Sequence, residues 1–221
     1  MFDINVVEFF ANYAYEPTLV YTFIIAFMTA SSFGLPIPEE MTLVSAGLVA
    51  YMANNPAKYP PPTPDAEGVN MTILCIVCFI AVIGSDLLIY SLGRLSGDRL
   101  KRTKIFKKLL PDEKFAKIDK PFQKYGYWAS GIFRFTPGVR FPGHLSCGIM
   151  KVSVWKFLAV DGTAALLSVP TQVLLVAAYG EIILEKIAEF KVILGSVILC
   201  IIIFFLIKKL ITKYKTKESR A

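Results

Sequence analysis

Apolar residues along this chain fall into long blocks, with polar and proline-rich breaks between them. Residues 19–33 form one apolar block of 15 and residues 41–53 another of 13, separated by Gly34-Leu35-Pro36-Ile37-Pro38-Glu39-Glu40. At 1.5 Å of rise per residue each arm is about 20–22 Å long, short of a bilayer core about 30 Å thick. Pro36 and Pro38 remove amide donors and fix φ, so a single helix through them is disfavoured. The pattern predicts a hairpin over 19–53 that enters the membrane and turns back, with its irregular tip shielded by protein or water. Residues 71–92 are long enough to span. Residues 125–150 are apolar but broken at Thr136-Pro137-Gly138 and Pro142-Gly143, which predicts a second short hairpin. Residues 157–179 and 190–207 read as two further spans, and residues 1–18 as an interfacial lead-in.

Composition agrees with a bilayer protein. Of 221 residues 55% are hydrophobic and 19% charged, with a mean hydropathy of +0.55, whereas soluble domains carry about 25% charged residues. No basic leader followed by a small-residue cleavage site is expected here, so the spans would act as their own insertion signals. Cys75 and Cys78 form a C-x-x-C inside an unbroken apolar run, where thiols behave as small hydrophobes; no metal site or cofactor is expected. The net charge of +7 does not point to nucleic acid. Residues 94–124 hold eleven Lys or Arg against four Asp or Glu, a surplus equal to that of the whole chain.

That distribution sets an orientation. By the positive-inside rule the basic loop 93–124 and the tail 208–221 are cytoplasmic, and the mildly acidic loops at 54–70 and 180–189 lie outside. The first hairpin then enters from outside and the second from inside. The expected fold is all-α and integral to the membrane: an inverted repeat of two re-entrant hairpins, each followed by a transmembrane helix, plus a C-terminal span. Two short echoes fit, Pro38 followed by Ser45-Ala46-Gly47 and Pro142 followed by Ser146-Cys147-Gly148. Opposed broken helices are a recurrent transporter design with the substrate at the repeat interface.

The candidate chemistry sits at the breaks. Glu39 and Glu40 occupy the first tip, and an acid within the membrane is a functional candidate because its charge is costly there. Glu40, Glu39 and Asp86 are the candidates for a proton-coupling acid. Arg134 and Arg140 bracket Pro137-Gly138, a break that lets both guanidiniums turn to one point, and planar bidentate donors suit a phosphate. Asp86 could pair with an arginine or relay a proton; Asp161 reads as similar but nearer an interface. Gly93-Arg94 and Gly97 are expected to stop the third helix. His144 is the one histidine, which argues against lipid-phosphatase chemistry needing a second; it is expected to be a polar hairpin residue.

Three blocks resemble the DedA family, whose domain is shared with the VTT group of eukaryotic lipid scramblases. They are Phe33 to Glu40 followed by Ser45-Ala46-Gly47; Gly84-Ser85-Asp86 with Tyr90, Gly93-Arg94 and Gly97; and Phe133-Arg134-Phe135-Thr136-Pro137-Gly138-Val139-Arg140. The resemblance covers about residues 20–180 and its last block is the most specific. It implies a multi-pass protein of the bacterial inner membrane, C-terminus cytoplasmic and not an enzyme, that flips undecaprenyl phosphate or a phospholipid such as phosphatidylethanolamine, with protons as a coupling ion. It carries over Arg134 and Arg140 as an essential pair and Glu40 as an essential acid. Many members hold another acid where Ser31 stands here, leaving its role to Asp86 or Glu39. The alternatives are a proton-coupled ion or solute transporter on the same scaffold and, less favoured, a lipid-phosphate enzyme. Partners are therefore the lipid headgroup, membrane lipids and protons; the oligomeric state stays open, a homodimer among the options.

Overall fold

A computed structural model describes residues 6–32, 39–100, 120–136 and 139–186. Among these the regular structure is helical throughout, with no strand. Helices α1 (Val6–Tyr13), α2 (Pro17–Ser32), α3 (Glu39–Ala53) and α4 (Met71–Leu100) are followed by a 3₁₀ turn at Gly126–Trp128, then α5 (Ala129–Arg134), α6 (Arg140–Ile149) and α7 (Val154–Ala178). These belong to one unit that ends at Ala178. In the second unit, which begins at Tyr179, residues 180–186 are helical. The breaks at Pro36, Pro38, Pro137 and Gly138, most of the basic loop, the span expected at 190–207 and the basic tail lie outside the described residues.

Local chemistry sets the boundaries. Pro17 opens α2, where its missing amide is no loss. The Asn70 side chain accepts the amides of Thr72 and Ile73 at 2.9 and 3.1 Å and so caps α4. At the end of α3 the Asn54 and Asn55 side chains donate back to the carbonyls of Ala50 and Tyr51, and the Asn55 amide turns to the Met52 carbonyl. The proline-rich loop is tied down by the Tyr15 hydroxyl on the Tyr59 carbonyl and the Val69 amide on the Ala14 carbonyl. The turn after α6 sends the amides of Lys151 and Val152 back to Gly148 and Cys147, with Lys151 at φ 55° in the left-handed position.

One expectation fails. Gly93 does not end the third helix: α4 runs on to Leu100. The glycine serves a crossing instead, because a Cβ on Gly93 would overlap the Leu145 carbonyl, and one on Gly148 would overlap the Tyr90 carbonyl. Two backbones therefore touch where α4 and α6 meet. Arg94 is not simply a cation reaching for water. Its Nη1 donates to the Tyr90 hydroxyl at 2.6 Å and to the Val152 carbonyl at 3.0 Å, and Tyr90 donates to the same carbonyl.

The packing pairs helices crosswise. α4 lies against α2 and, most extensively, α6, whereas α7 lies against α3 and α5, and α4 and α7 touch each other. Gly47 of α3 sits against Val176 and the Val173 carbonyl of α7, where a Cβ would lie 2.6 and 2.9 Å away. Two stretches, Met71–Ser96 and Val154–Ala178, are long and apolar enough to cross a membrane, while α2 and α3 have 16 and 15 residues.

Polarity is reversed relative to a water-soluble bundle. Phe23, Ile76, Ile80 and Leu167 face outward, with Ile80 61% exposed, while Asp86, Asp161 and His144 are fully buried. Water would penalise that arrangement on both sides; hydrocarbon favours it.

Candidate functional site

Five helices deliver charge to one point. Arg134 is the last residue of α5 and Arg140 the first of α6. His144 follows Arg140 by one helical turn, which places both on the same face. Asp86 comes from the middle of α4, Asp161 from α7, and Glu39 is the first residue of α3.

Asp86 is the hub. Its Oδ2 accepts from Arg134 Nη1 at 2.7 Å, and both its oxygens accept from Arg140 Nη2, at 2.7 and 2.8 Å. His144 Nδ1 lies 3.0 Å from Asp86 Oδ1. Arg134 Nη1 also reaches Asp161 Oδ1 at 2.9 Å, and its Nε donates to the Ser168 hydroxyl at 3.4 Å. His144 Nε2 faces the same Asp161 oxygen at 3.4 Å. Glu39 closes the cluster from the other side, pairing with Arg140 and standing 3.7 Å from Arg134 Nη2.

Desolvating an ion costs several kcal/mol, so such groups persist only as a mutually satisfied network. Satisfaction here is incomplete. Arg134 Nη2, Arg140 Nε, His144 Nε2 and Asp161 Oδ2 are buried without a hydrogen-bond partner. The least buried side chains are those of Arg140 and Glu39, at 17% and 12% exposure. The cluster is therefore packed tightly around Asp86 and has a spare donor, Arg134 Nη2, on the side where Glu39 sits.

Asp86, His144 and Asp161 also have the mutual spacing of a metal site. The donor set argues otherwise. Both oxygens of Asp86 already accept from guanidiniums, and Arg134 occupies Asp161 Oδ1. A divalent ion would have to enter beside two fixed positive charges; in this structure the three residues are members of an ion-pair network.

The expected arginine pair is thus brought together with Asp86 and Glu39. Glu40 is not: it follows Glu39 by one position, points to a different face of α3 and is exposed. Asp161 is more central than its place in the sequence suggested, and His144 is a member of the cluster. The signal for His144 was its four-residue offset from Arg140. Asp161 was a lone acid in an apolar span, which is the more general warning. Ser32, beside the position where relatives were expected to carry an acid, is buried and donates to the carbonyls of Met28 and Ser85.

The model of the VTT domain matches residues 37–178, from the first break to the end of α7. This protein belongs to the DedA family. A protein of Haemophilus influenzae described as an uncharacterized membrane protein is 32% identical over 165 residues, which is 74% of this chain and 69% of that one. No solved structure matches. Membership makes the inverted polarity of the bundle intelligible: this DedA protein resides in a membrane, and its ion cluster lies among helices whose outer faces meet lipid.

Proposed function

We propose that this DedA protein moves a phosphate-bearing lipid across the cytoplasmic membrane, with Arg134 and Arg140 holding the headgroup phosphate. The observation that carries the reading is Glu39, the least enclosed acid of the cluster, which pairs with Arg140 and stands 3.7 Å from Arg134 Nη2, a guanidinium nitrogen without a hydrogen-bond partner. A phosphate monoanion offers the same charge as Glu39 and more acceptor oxygens. It would displace that carboxylate and satisfy Arg134 Nη2, while Asp86 and Asp161 keep the arginines in place. The acyl or prenyl tail stays in the bilayer, avoiding roughly 0.8 kcal/mol per CH₂ dragged into water. Undecaprenyl phosphate and phosphatidylethanolamine both present the required group.

The same reading includes an inverted repeat of re-entrant hairpins. Its support is the crosswise packing, in which α3 lies on α7 and α6 on α4. Gly47 and Gly148, the glycines of the two echoed motifs, both sit at those crossings. Rocking one half against the other would separate Glu39 from the arginines and open the seat to alternate sides. A cytoplasmic C-terminus follows from the basic loop and tail.

Reconstituted vesicles test the assignment. Arg134→Lys and Arg140→Lys keep the charge but remove the planar fork, and each is expected to slow headgroup flipping at least tenfold, about 1.4 kcal/mol. Undiminished flipping in both variants would remove the arginines from the substrate site.

A further inference from the structure

His144 has a carboxylate on each ring nitrogen. Nδ1 lies 3.0 Å from Asp86 Oδ1 and Nε2 3.4 Å from Asp161 Oδ1. A neutral imidazole has one N–H and one lone pair, so either tautomer would aim a lone pair at an anionic oxygen. An imidazolium presents an N–H to each carboxylate: the one on Nδ1 is within hydrogen-bond reach of Asp86, while Nε2, which has no hydrogen-bond partner, faces Asp161 as a charge contact. The charge count agrees. With His144 neutral, two arginines face Glu39, Asp86 and Asp161, which leaves an uncompensated negative charge in a largely buried cluster. One bound proton makes the balance three against three.

We propose that His144 is a proton-binding site, held as an imidazolium bridge between Asp86 and Asp161. The surroundings from each packed element fit that state. α4 contributes Asp86 and Tyr90, whose hydroxyl is turned away to Val152. α7 contributes Asp161 and the apolar edge contact of Phe157, ring centroids 5.3 Å apart. The remaining charges are Arg134 on α5, Arg140 on the histidine's own helix and Glu39 on α3; Cys147 is the other titratable group of α6.

A consequence concerns the ligand and rests on the flippase reading above. When Glu39 leaves, the seat formed by two arginines, the imidazolium and two aspartates carries a net +1. It then matches a singly charged phosphodiester or a singly ionised monoester. Without the proton the same seat is neutral and has no charge to attract an anion.

Because the chain has a single histidine, its ring is observable alone. The experiment is nitrogen NMR of protein labelled with ¹⁵N-histidine in phosphatidylcholine nanodiscs at about pH 7, near the range in which a free histidine titrates. The expected spectrum shows two protonated ring nitrogens, and Asp161→Asn shifts the ring toward a neutral tautomer. A bare ring nitrogen in the unmodified protein would overturn the proposal. An imidazolium unchanged by Asp161→Asn would overturn the bridge. Neither measurement involves transport, so a failure here leaves the flippase assignment standing, and lost flipping leaves this one standing.

Discussion

Glu39 and Arg140 hold corresponding places on two different helices and are paired with each other. Each is the first residue of its helix, α3 or α6, and each precedes by eight residues a glycine at a close crossing, Gly47 or Gly148. A carboxylate at the first turn is favoured by the helix dipole, whereas a guanidinium there is disfavoured. Arg140 is held against that field by Asp86 and Glu39. The pair joins the two broken segments of the chain, and it is also the most accessible part of the ion cluster.

The network predicts a ranking of stabilities. Asp86→Ala leaves two guanidiniums and His144 without their shared acceptor, and removing one member of a buried ionic set costs about 3–5 kcal/mol. Glu39→Gln keeps a polar group at the least enclosed acid and should cost about 1 kcal/mol, closer to the loss of an ordinary hydrogen bond. Thermal melts followed by loss of the monodisperse peak in detergent should place Asp86→Ala far below Glu39→Gln. Equal melting temperatures would mean that the cluster does not hold the bundle together.

Glu39→Gln also separates a structural carboxylate from a competing one. If Glu39 occupies the phosphate's place, removing its charge should strengthen binding of a phosphate headgroup by about tenfold, or 1.4 kcal/mol. Turnover should fall at the same time, because a seat that never empties cannot cycle. Binding of a short-chain phospholipid to the detergent-solubilised protein, together with flipping in vesicles, reads the two effects separately. Weaker binding in Glu39→Gln would show that Glu39 orients the arginines and does not compete for them.

Much of this was legible from the chain. The apolar blocks gave α2, α3, α4 and α7 to within a few residues at most ends, since length and hydropathy are set by the solvent and not by neighbours. Arg134, Arg140 and Asp86 were identifiable because a charge in hydrocarbon demands a partner. What was not legible depends on rotation about a helix axis. Glu39 and Glu40 are adjacent in sequence but differ by about 100° around α3, and which of them points inward depends on how α3 packs on α7. His144 was judged by the absence of a second histidine, a test of one enzyme chemistry that says nothing about charge balance. The end of α4 was misread for a related reason. A glycine after an apolar run signals a helix stop from local propensity, but Gly93 is needed where two backbones touch, and tertiary contact overrides the local preference.

The glycines give a sharp contrast within one helix. Gly84 and Gly93 both lie in α4, nine positions apart. A Cβ on Gly84 meets nothing within 4 Å, whereas one on Gly93 meets the Leu145 carbonyl and the Ile149 amide nitrogen, both backbone and unable to rotate aside. Gly84→Ala should therefore be neutral or stabilising by about 0.5–1 kcal/mol, the ordinary gain of alanine in a helix. Gly93→Ala should force α4 and α6 apart, and Gly148→Ala should do the same from the opposite side against the Tyr90 carbonyl. Separation there would move Arg140 and His144 away from Asp86, since all three ride on those two helices. Both substitutions are thus expected to lower the melting temperature and abolish flipping together, with Gly84→Ala retaining full activity. If Gly93→Ala melts and transports like Gly84→Ala, the close crossing is not what positions the arginine cluster.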